Sequence, residues 1–320
     1  MYEKTIYWNI PHNGGISQGS PEISLLSDFL QDCAVRNFSP RTIQSYKSNL
    51  KYFLSRHSIE ISPEVLKTFL VHIRDEKNFS PSTVENYFAA LSSFYDFLEW
   101  EGIQKNIVPQ FRKRYLRYYK EQRHEERQLI NLEQMKALID SAEWIGHKAM
   151  FLFFAKTGIR RQELIDLDLQ DLHLSQNYAV LKPHAKRSNR IVFYDSECSK
   201  VLEDWITWRQ DQRPKIKSKA LFLGVQGYRI TRDAVYYATI EHAQKLGFHN
   251  PQGNLNEKFT PHCFRHFFTT WLRRSGCPRS IIQELRGDSR KEAIDIYDHI
   301  TQVELKESYL KYVPQLSIKL

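Results

Sequence analysis

Residues 150–167 read MFLFFAKTGIRRQELIDL. An unbroken apolar run from Met150 to Ala155 gives way to Thr157-Gly158, and then to a charged stretch that turns apolar again at Leu164 and Ile165. This pattern predicts a buried helix, a glycine turn that stops it, and a second helix. Downstream, TRDAVYYATIEHAQKLG (231–247), PHCFRHFFTTWLRRSG (261–276), RSIIQELRG (279–287) and RKEAIDIYDHI (290–300) all read as helices. YAVLKPHAKRSNRIVFYD (178–195) differs, because apolar runs flank a polar tip, and it predicts a short hairpin. This half, which begins near Leu129 with Asn131 as a helix cap, is expected to be mostly helical with a small antiparallel sheet.

Upstream, the texture is helical throughout. NFSPRTIQSYKSNLKYFL (37–54) is echoed by NFSPSTVENYFAALSSFYDFL (78–98), and ISPEVLKTFLVHIRDE (61–76) lies between them. Ser39 and Ser80 can cap helices whose first residues are Pro40 and Pro81. Ile43, Tyr46, Leu50 and Phe53 share one face of the first helix, as do Val84, Tyr87, Leu91 and Tyr95 of the second. The echo fits either a repeated capping solution or an approximate pseudo-symmetry. The organisation expected is a mainly α chain: an N-terminal arm over 1–21, a small helical domain over 22–110, a basic linker over 111–128, a mixed α/β domain over 129–300, and an amphipathic tail over 301–320.

The chain has 320 residues and a formal net charge of +9. That balance favours an anionic partner, nucleic acid first. FRKRYLRYYKEQRHEER (111–127) concentrates it, and Arg112, Lys113, Arg114 and Arg117 are candidate phosphate donors. The N-terminus shows no secretory pattern, and no apolar stretch is long enough to span a membrane. The four cysteines, Cys33, Cys198, Cys263 and Cys277, match neither zinc nor disulfide spacing. Free thiols in a cytoplasmic protein are expected. No phosphate-binding glycine loop is present, so no nucleotide cofactor is expected, and with nothing resembling an acidic metal cluster no metal is expected either.

Arg160, Arg265 and Tyr297 suggest a chemistry. Anionic oxygens shield a phosphodiester from nucleophiles, and two guanidiniums can neutralise that charge in the transition state. A phenol can then attack phosphorus, while a lysine or histidine protonates the leaving hydroxyl. Each residue alone has an ordinary structural explanation; an arginine is usually a surface residue and a helical tyrosine usually packs. His262, Cys263 and His266 could also be read as metal ligands, without a further partner at convincing spacing. Tyr309 and Tyr312 are nucleophile candidates by composition only.

The ordered set TGIRRQEL (157–164), HCFRH (262–266), LRGD (285–288) and IYDHI (296–300) resembles the tyrosine recombinase/integrase family, close in organisation to its Xer type. The resemblance implies a helical core-binding domain followed by a mostly helical catalytic domain. It implies Arg160 and Arg265 as phosphate clamps, Glu163 as support for Arg160, His262 as general acid/base, His266 as an adjacent packing residue, and Tyr297 as nucleophile. The family lysine falls on the hairpin at Lys186, with Lys182 as its rival, and Arg190 matches the arginine that closes that motif. Where the family has His or Trp, this chain has Asp288. An ionised carboxylate only accepts hydrogen bonds, so either Asp288 points away and pairs with an arginine, Arg286 or Arg290, or it is protonated, or activity is reduced; pairing is the preferred reading.

The resemblance further implies cutting and rejoining of duplex DNA at a specific recombination site through a 3′-phosphotyrosyl link. A homotetramer joined by exchange of C-terminal tails is implied too. Two alternatives remain: a DNA-relaxing enzyme of the type IB kind, and a DNA-binding relative with weakened catalysis.

Overall fold

The computed structural model describes residues 21–117, 128–183, 187–212, 216, 218–288 and 300–319. Most of the expected arm and residues 118–127 of the basic segment lie outside these. The chain forms two compact units, Met1–His124 and Glu125–Leu320.

The first unit is helical: α1 (Pro21–Val35), α2 (Pro40–Leu54), α3 (Pro63–Val71) running into a π-helical turn (His72–Glu76), α4 (Pro81–Trp100) and α5 (Val108–Tyr115). The two NFSP segments have the same local geometry. Asn37 and Asn78 adopt left-handed φ of 62° and 50°, a conformation asparagine tolerates better than most residues. Ser39 and Ser80 then accept the amides of Thr42 and Thr83 at 3.1 and 3.3 Å. The preceding turns differ, since Phe38 N donates to Cys33 O and Phe79 N donates to Ile73 O. The two loops are equally long, but the second hydrogen-bonded closure spans one residue more because it follows the π turn. Phe29, Phe53, Phe69, Phe88 and Phe94 fill the core. Helix α5 carries Phe111 into that core and ties Arg112 to Glu85 at 2.9 Å. Lys113, Arg114 and Arg117 remain exposed.

The second unit contains α6 (Leu132–Asp140), α7 (Ile145–Thr157), α8 (Arg161–Asp166), β1 (Leu172–His173), β2 (Tyr178–Val180), β3 (Ile191–Phe193), α9 (Ser196–Asp211), α10 (Arg232–Lys245), α11 (Pro261–Arg274), α12 (Arg279–Arg286) and α13 (Gln302–Tyr312). Helix α7 is buried on all sides, as its apolar run requires. The strands form an antiparallel sheet in the order β1-β2-β3, with Ala179 opposite Val192. The hairpin expected over 178–195 is thus β2–β3, and β1 is an added edge. The fold is that expected: a helical first domain and a mostly helical second one with a small antiparallel sheet. RKEAIDIYDHI (290–300), expected as a helix, lies outside the described residues except for Ile300. Among the described residues, no helix is long and apolar enough to cross a membrane.

The C-terminal stretch packs on its own chain. Leu305, Tyr309 and Val313 join a cluster with Phe193, Phe268 and Ile281. Leu316 and Ile318 enter the main core, and their amides donate to Glu197 at 3.2 and 2.8 Å. The same carboxylate faces Lys156, which is fully buried and also 2.6 Å from Asp195.

Asp168 is a second charged hub. Only 1% exposed, it receives Lys182 Nζ at 2.8 Å, Lys219 Nζ at 3.4 Å and the Arg229 guanidinium. Burial alone would raise its carboxyl, but the hydrogen bonds and charges of Lys182 and Arg229 outweigh it and bring it to about 2. A depressed folded-state value stabilises the fold above the unfolded carboxyl's range, and that contribution fades as pH falls through about 2. Asp168→Asn is therefore expected to cost about 1–3 kcal/mol at neutral pH. In urea unfolding, the gap from wild type should close between roughly pH 4 and pH 2; a gap that persists unchanged at the acid end would refute this assignment.

Candidate active site

The glycine turn places the first arginine. Gly158 ends α7 with φ 59° and donates to Phe154 O at 2.9 Å. A side chain here would run into the Phe268 ring, so both the conformation and the space demand glycine. The chain then re-enters helix at α8, with Arg160 as the cap residue. Glu163, one turn on, reaches back to accept the Arg160 amide at 2.7 Å and its Nη1 at 3.0 Å. Glu163 is almost fully buried. Burial pushes its carboxyl up, but the Arg187 guanidinium and the Arg160 amide and guanidinium hold it below the ordinary value.

Arg265 reaches the same place from α11. Its Nη1 donates to Gly158 O at 2.7 Å, and its Nη2 to Arg286 O at 3.0 Å. Two arginines separated by more than a hundred residues are thus held around one glycine turn. The Arg265 side chain is 4% exposed. Burial first, then the neighbouring charges of Arg286 and Arg160, bring its guanidinium down to about 10. It remains protonated at neutral pH, but in an environment that disfavours positive charge.

Asp288 answers that charge. Its Oδ1 accepts Arg160 Nη2 at 3.0 Å and Arg265 Nη2 at 2.8 Å. Its Oδ2 lies 3.1 Å from Arg286 Nε, without the alignment of a hydrogen bond. The expected pairing with Arg286 is present as an ionic contact, while Arg290 lies outside the described residues. Arg160 and Arg265, which were not named as its partners, share the carboxylate with Arg286. Two guanidiniums converging on one site repel each other, and a carboxylate between them lowers the energy of that arrangement.

His262 sits exposed in the first turn of α11, with its ring 4.9 Å from that of His266. Cys263 is buried and accepts the Thr260 amide at 3.3 Å. Among the described residues, no three His, Cys, Asp or Glu side chains are gathered as metal ligands. Lys186 and Tyr297 lie outside the described residues. Lys182 is engaged by Asp168, and Arg190 closes the hairpin through Nε to Leu181 O at 2.8 Å. Tyr309 is buried in the α13 cluster, where burial pushes its phenol well above the usual range. Such a phenol is poorly placed to act as a nucleophile.

The sequence reading missed Arg187. It belongs to the polar tip of the hairpin, yet its side chain is 1% exposed. Its Nε donates to Asn189 O, its Nη1 to Glu163 Oε2 at 3.1 Å and to Arg286 O at 3.0 Å, and its Nη2 to Leu285 O at 3.2 Å. The sequence offered no signal for this: Arg187 sits in a polar stretch, and its burial, like that of Asn189, is visible only in the structure.

The chain matches the phage integrase family over residues 128–304 and that family's N-terminal SAM-like domain over 25–101. It is 27% identical over 308 residues to a tyrosine recombinase XerD of Listeria monocytogenes serovar 1/2a, covering 91% of this chain and 99% of that one. It is also 27% identical over 307 residues to a tyrosine recombinase XerC of Pelotomaculum thermopropionicum, covering 88% of this chain and 94% of the relative. In fold it is similar to the Tn1549 transposon integrase in complex with transposon right-end DNA (TM-score 0.67, 16% identity, 90% of this chain and 98% of the other). It is likewise similar to a lambda integrase dimer bound to a core site (TM-score 0.65, 15% identity, 88% of this chain and 98% of the other). With both domains matched in chain order and the two motif arginines brought to one carboxylate, the chain belongs to the phage integrase family of tyrosine recombinases.

Proposed function

We propose that this chain is a site-specific DNA recombinase that cuts and rejoins duplex DNA through a 3′-phosphotyrosyl intermediate on Tyr297. The observation that carries this reading is the convergence of Arg160 and Arg265 on one anionic oxygen, at 3.0 and 2.8 Å. Guanidiniums so placed can bind the non-bridging oxygens of a phosphodiester and stabilise charge as it builds in the transition state.

In the proposed step the Tyr297 phenolic oxygen forms a bond to phosphorus and the bond from phosphorus to the 5′ oxygen breaks. His262 takes the phenol's proton, and Lys186 gives one to the departing 5′ oxygen. A 5′-hydroxyl from a partner strand reverses the step. The phosphotyrosyl link preserves the phosphodiester's free energy, so no nucleotide cofactor enters the scheme. Lys182 stands second to Lys186 because its ammonium is engaged by Asp168. The exposed Lys113, Arg114 and Arg117 supply sequence-independent phosphate contacts. Assembly is proposed as a homotetramer on two DNA sites, in which the 301–320 tail exchanges its docking on its own chain for docking on a neighbour.

Asp288 favours a slow enzyme, since its carboxylate competes with substrate phosphate for both arginines. A topology assay with and without paired sites separates recombination from simple relaxation.

A nicked suicide duplex should yield a denaturant-resistant protein–DNA adduct, absent in Tyr297→Phe. Tight binding without an adduct on any cognate site would remove the catalytic claim. Asp288→Asn should raise the single-turnover adduct rate about fivefold, corresponding to roughly 1 kcal/mol of charge-assisted contact no longer displaced. A loss of tenfold or more would show instead that the carboxylate is required.

A further inference from the structure

Arg187 touches a partner of each clamp arginine. Its Nη1 shares Glu163 with Arg160: Glu163 Oε2 takes Arg187 Nη1 at 3.1 Å and the Arg160 amide at 2.7 Å, while Oε1 takes Arg160 Nη1 at 3.0 Å. The same Nη1 shares the Arg286 carbonyl with Arg265, whose Nη2 donates to that oxygen at 3.0 Å. The remaining contacts go to Leu285 O at 3.2 Å and to Asn189 O in the hairpin itself.

The acceptors are supplied by the end of a helix. Helix α12 closes on Gly287, in a left-handed conformation with φ 62°. Gly287 N donates to Glu284 O at 2.9 Å and Asp288 N to Gln283 O at 3.0 Å, the double closure of a Schellman motif. This leaves the Leu285 and Arg286 carbonyls open, at the negative end of the helix, and cations are stabilised there. A side chain at 287 would land on Arg187, so the glycine also makes room for it.

A buried guanidinium is costly unless its donors are satisfied. At Arg187 all three nitrogens are used, on acceptors from three separate segments. The planar fork is what spans them; a lysine has a single ammonium. The residue is shielded from solvent, so it does not itself meet the phosphate.

We infer that Arg187 is a positioning residue for the strand-transfer reaction: by bridging Glu163 and the Arg286 carbonyl, it sets the placement of Arg160 and Arg265 about the scissile phosphate. The inference rests on the functional reading above and deepens it.

The test uses the full chain and two versions of the suicide duplex, one with an ordinary scissile phosphate and one with a methylphosphonate there. The methylphosphonate lacks one anionic oxygen, so its cleavage depends less on guanidinium placement. Arg187→Lys and Arg187→Gln are compared with wild type, Arg160→Ala and Tyr297→Phe. DNA affinity by gel shift should stay within about threefold of wild type, while the adduct rate on ordinary phosphate falls about a hundredfold, the scale of one lost transition-state contact. On methylphosphonate the deficit should shrink to about tenfold or less, in parallel with Arg160→Ala. A wild-type rate in Arg187→Lys, or a deficit of equal size on both substrates, overturns the inference. So does failure of both variants to fold by thermal unfolding, which would assign the residue to stability alone. Absence of an adduct from the wild-type chain on either duplex is a different result, since it defeats the functional reading itself.

Discussion

Glu163 is the group on which the site depends. It is a single buried carboxylate held between two guanidiniums, one belonging to the loop after α7 and the other to the hairpin tip. Burying a carboxylate is unfavourable, and burying a guanidinium is too. Each offsets the other only when the geometry is right, so the pair acts as a constraint on shape rather than as a simple gain in stability. The Arg160 backbone is held by the same side chain through its amide. This one carboxylate therefore holds both the backbone amide and the Nη1 of Arg160, while Asp288 takes its Nη2.

Four guanidiniums, those of Arg160, Arg187, Arg265 and Arg286, crowd this region, and their mutual repulsion has to be answered. Glu163 and Asp288 answer it with charge, and the end of α12 answers it with carbonyl oxygens. The Gly158 carbonyl adds another acceptor for Arg265. Strong cationic character is useful for a phosphodiester, and it is tolerable in the free protein because these acceptors are already fixed in place. Asp288 differs from the rest in being partly exposed and in facing Arg160 and Arg265 at once.

Much of the fold was legible because its signals are local. Ser39, Ser80 and Asn131 cap the helices that follow them, and proline opens α2 and α4. Continuous apolar character marked α7 as buried. The polar tip between two apolar runs marked β2 and β3, while β1 went unread because two residues carry no period. The basic segment was only partly legible. Its composition suggested a linker with Arg112, Lys113, Arg114 and Arg117 as phosphate donors, whereas Phe111 is core and Arg112 is paired with Glu85. Charge composition does not reveal which member of a run has a carboxylate waiting on another helix.

The sequence by itself determined the order of the site: a glycine turn that leads into Arg160, a helix that carries Arg265, and a glycine-ended helix before Asp288. These are consequences of backbone conformation and periodicity, which act over a few residues. Tertiary structure alone decided the partners. Arginines 105 positions apart share one Asp288 oxygen, and Arg187, embedded in a polar stretch, is buried. Hydrogen bonding between distant segments depends on how the helices pack, and no local pattern encodes that. Asp288 was expected to pair with Arg286 or Arg290, and tertiary structure adds Arg160 and Arg265, which no local pattern names as its partners.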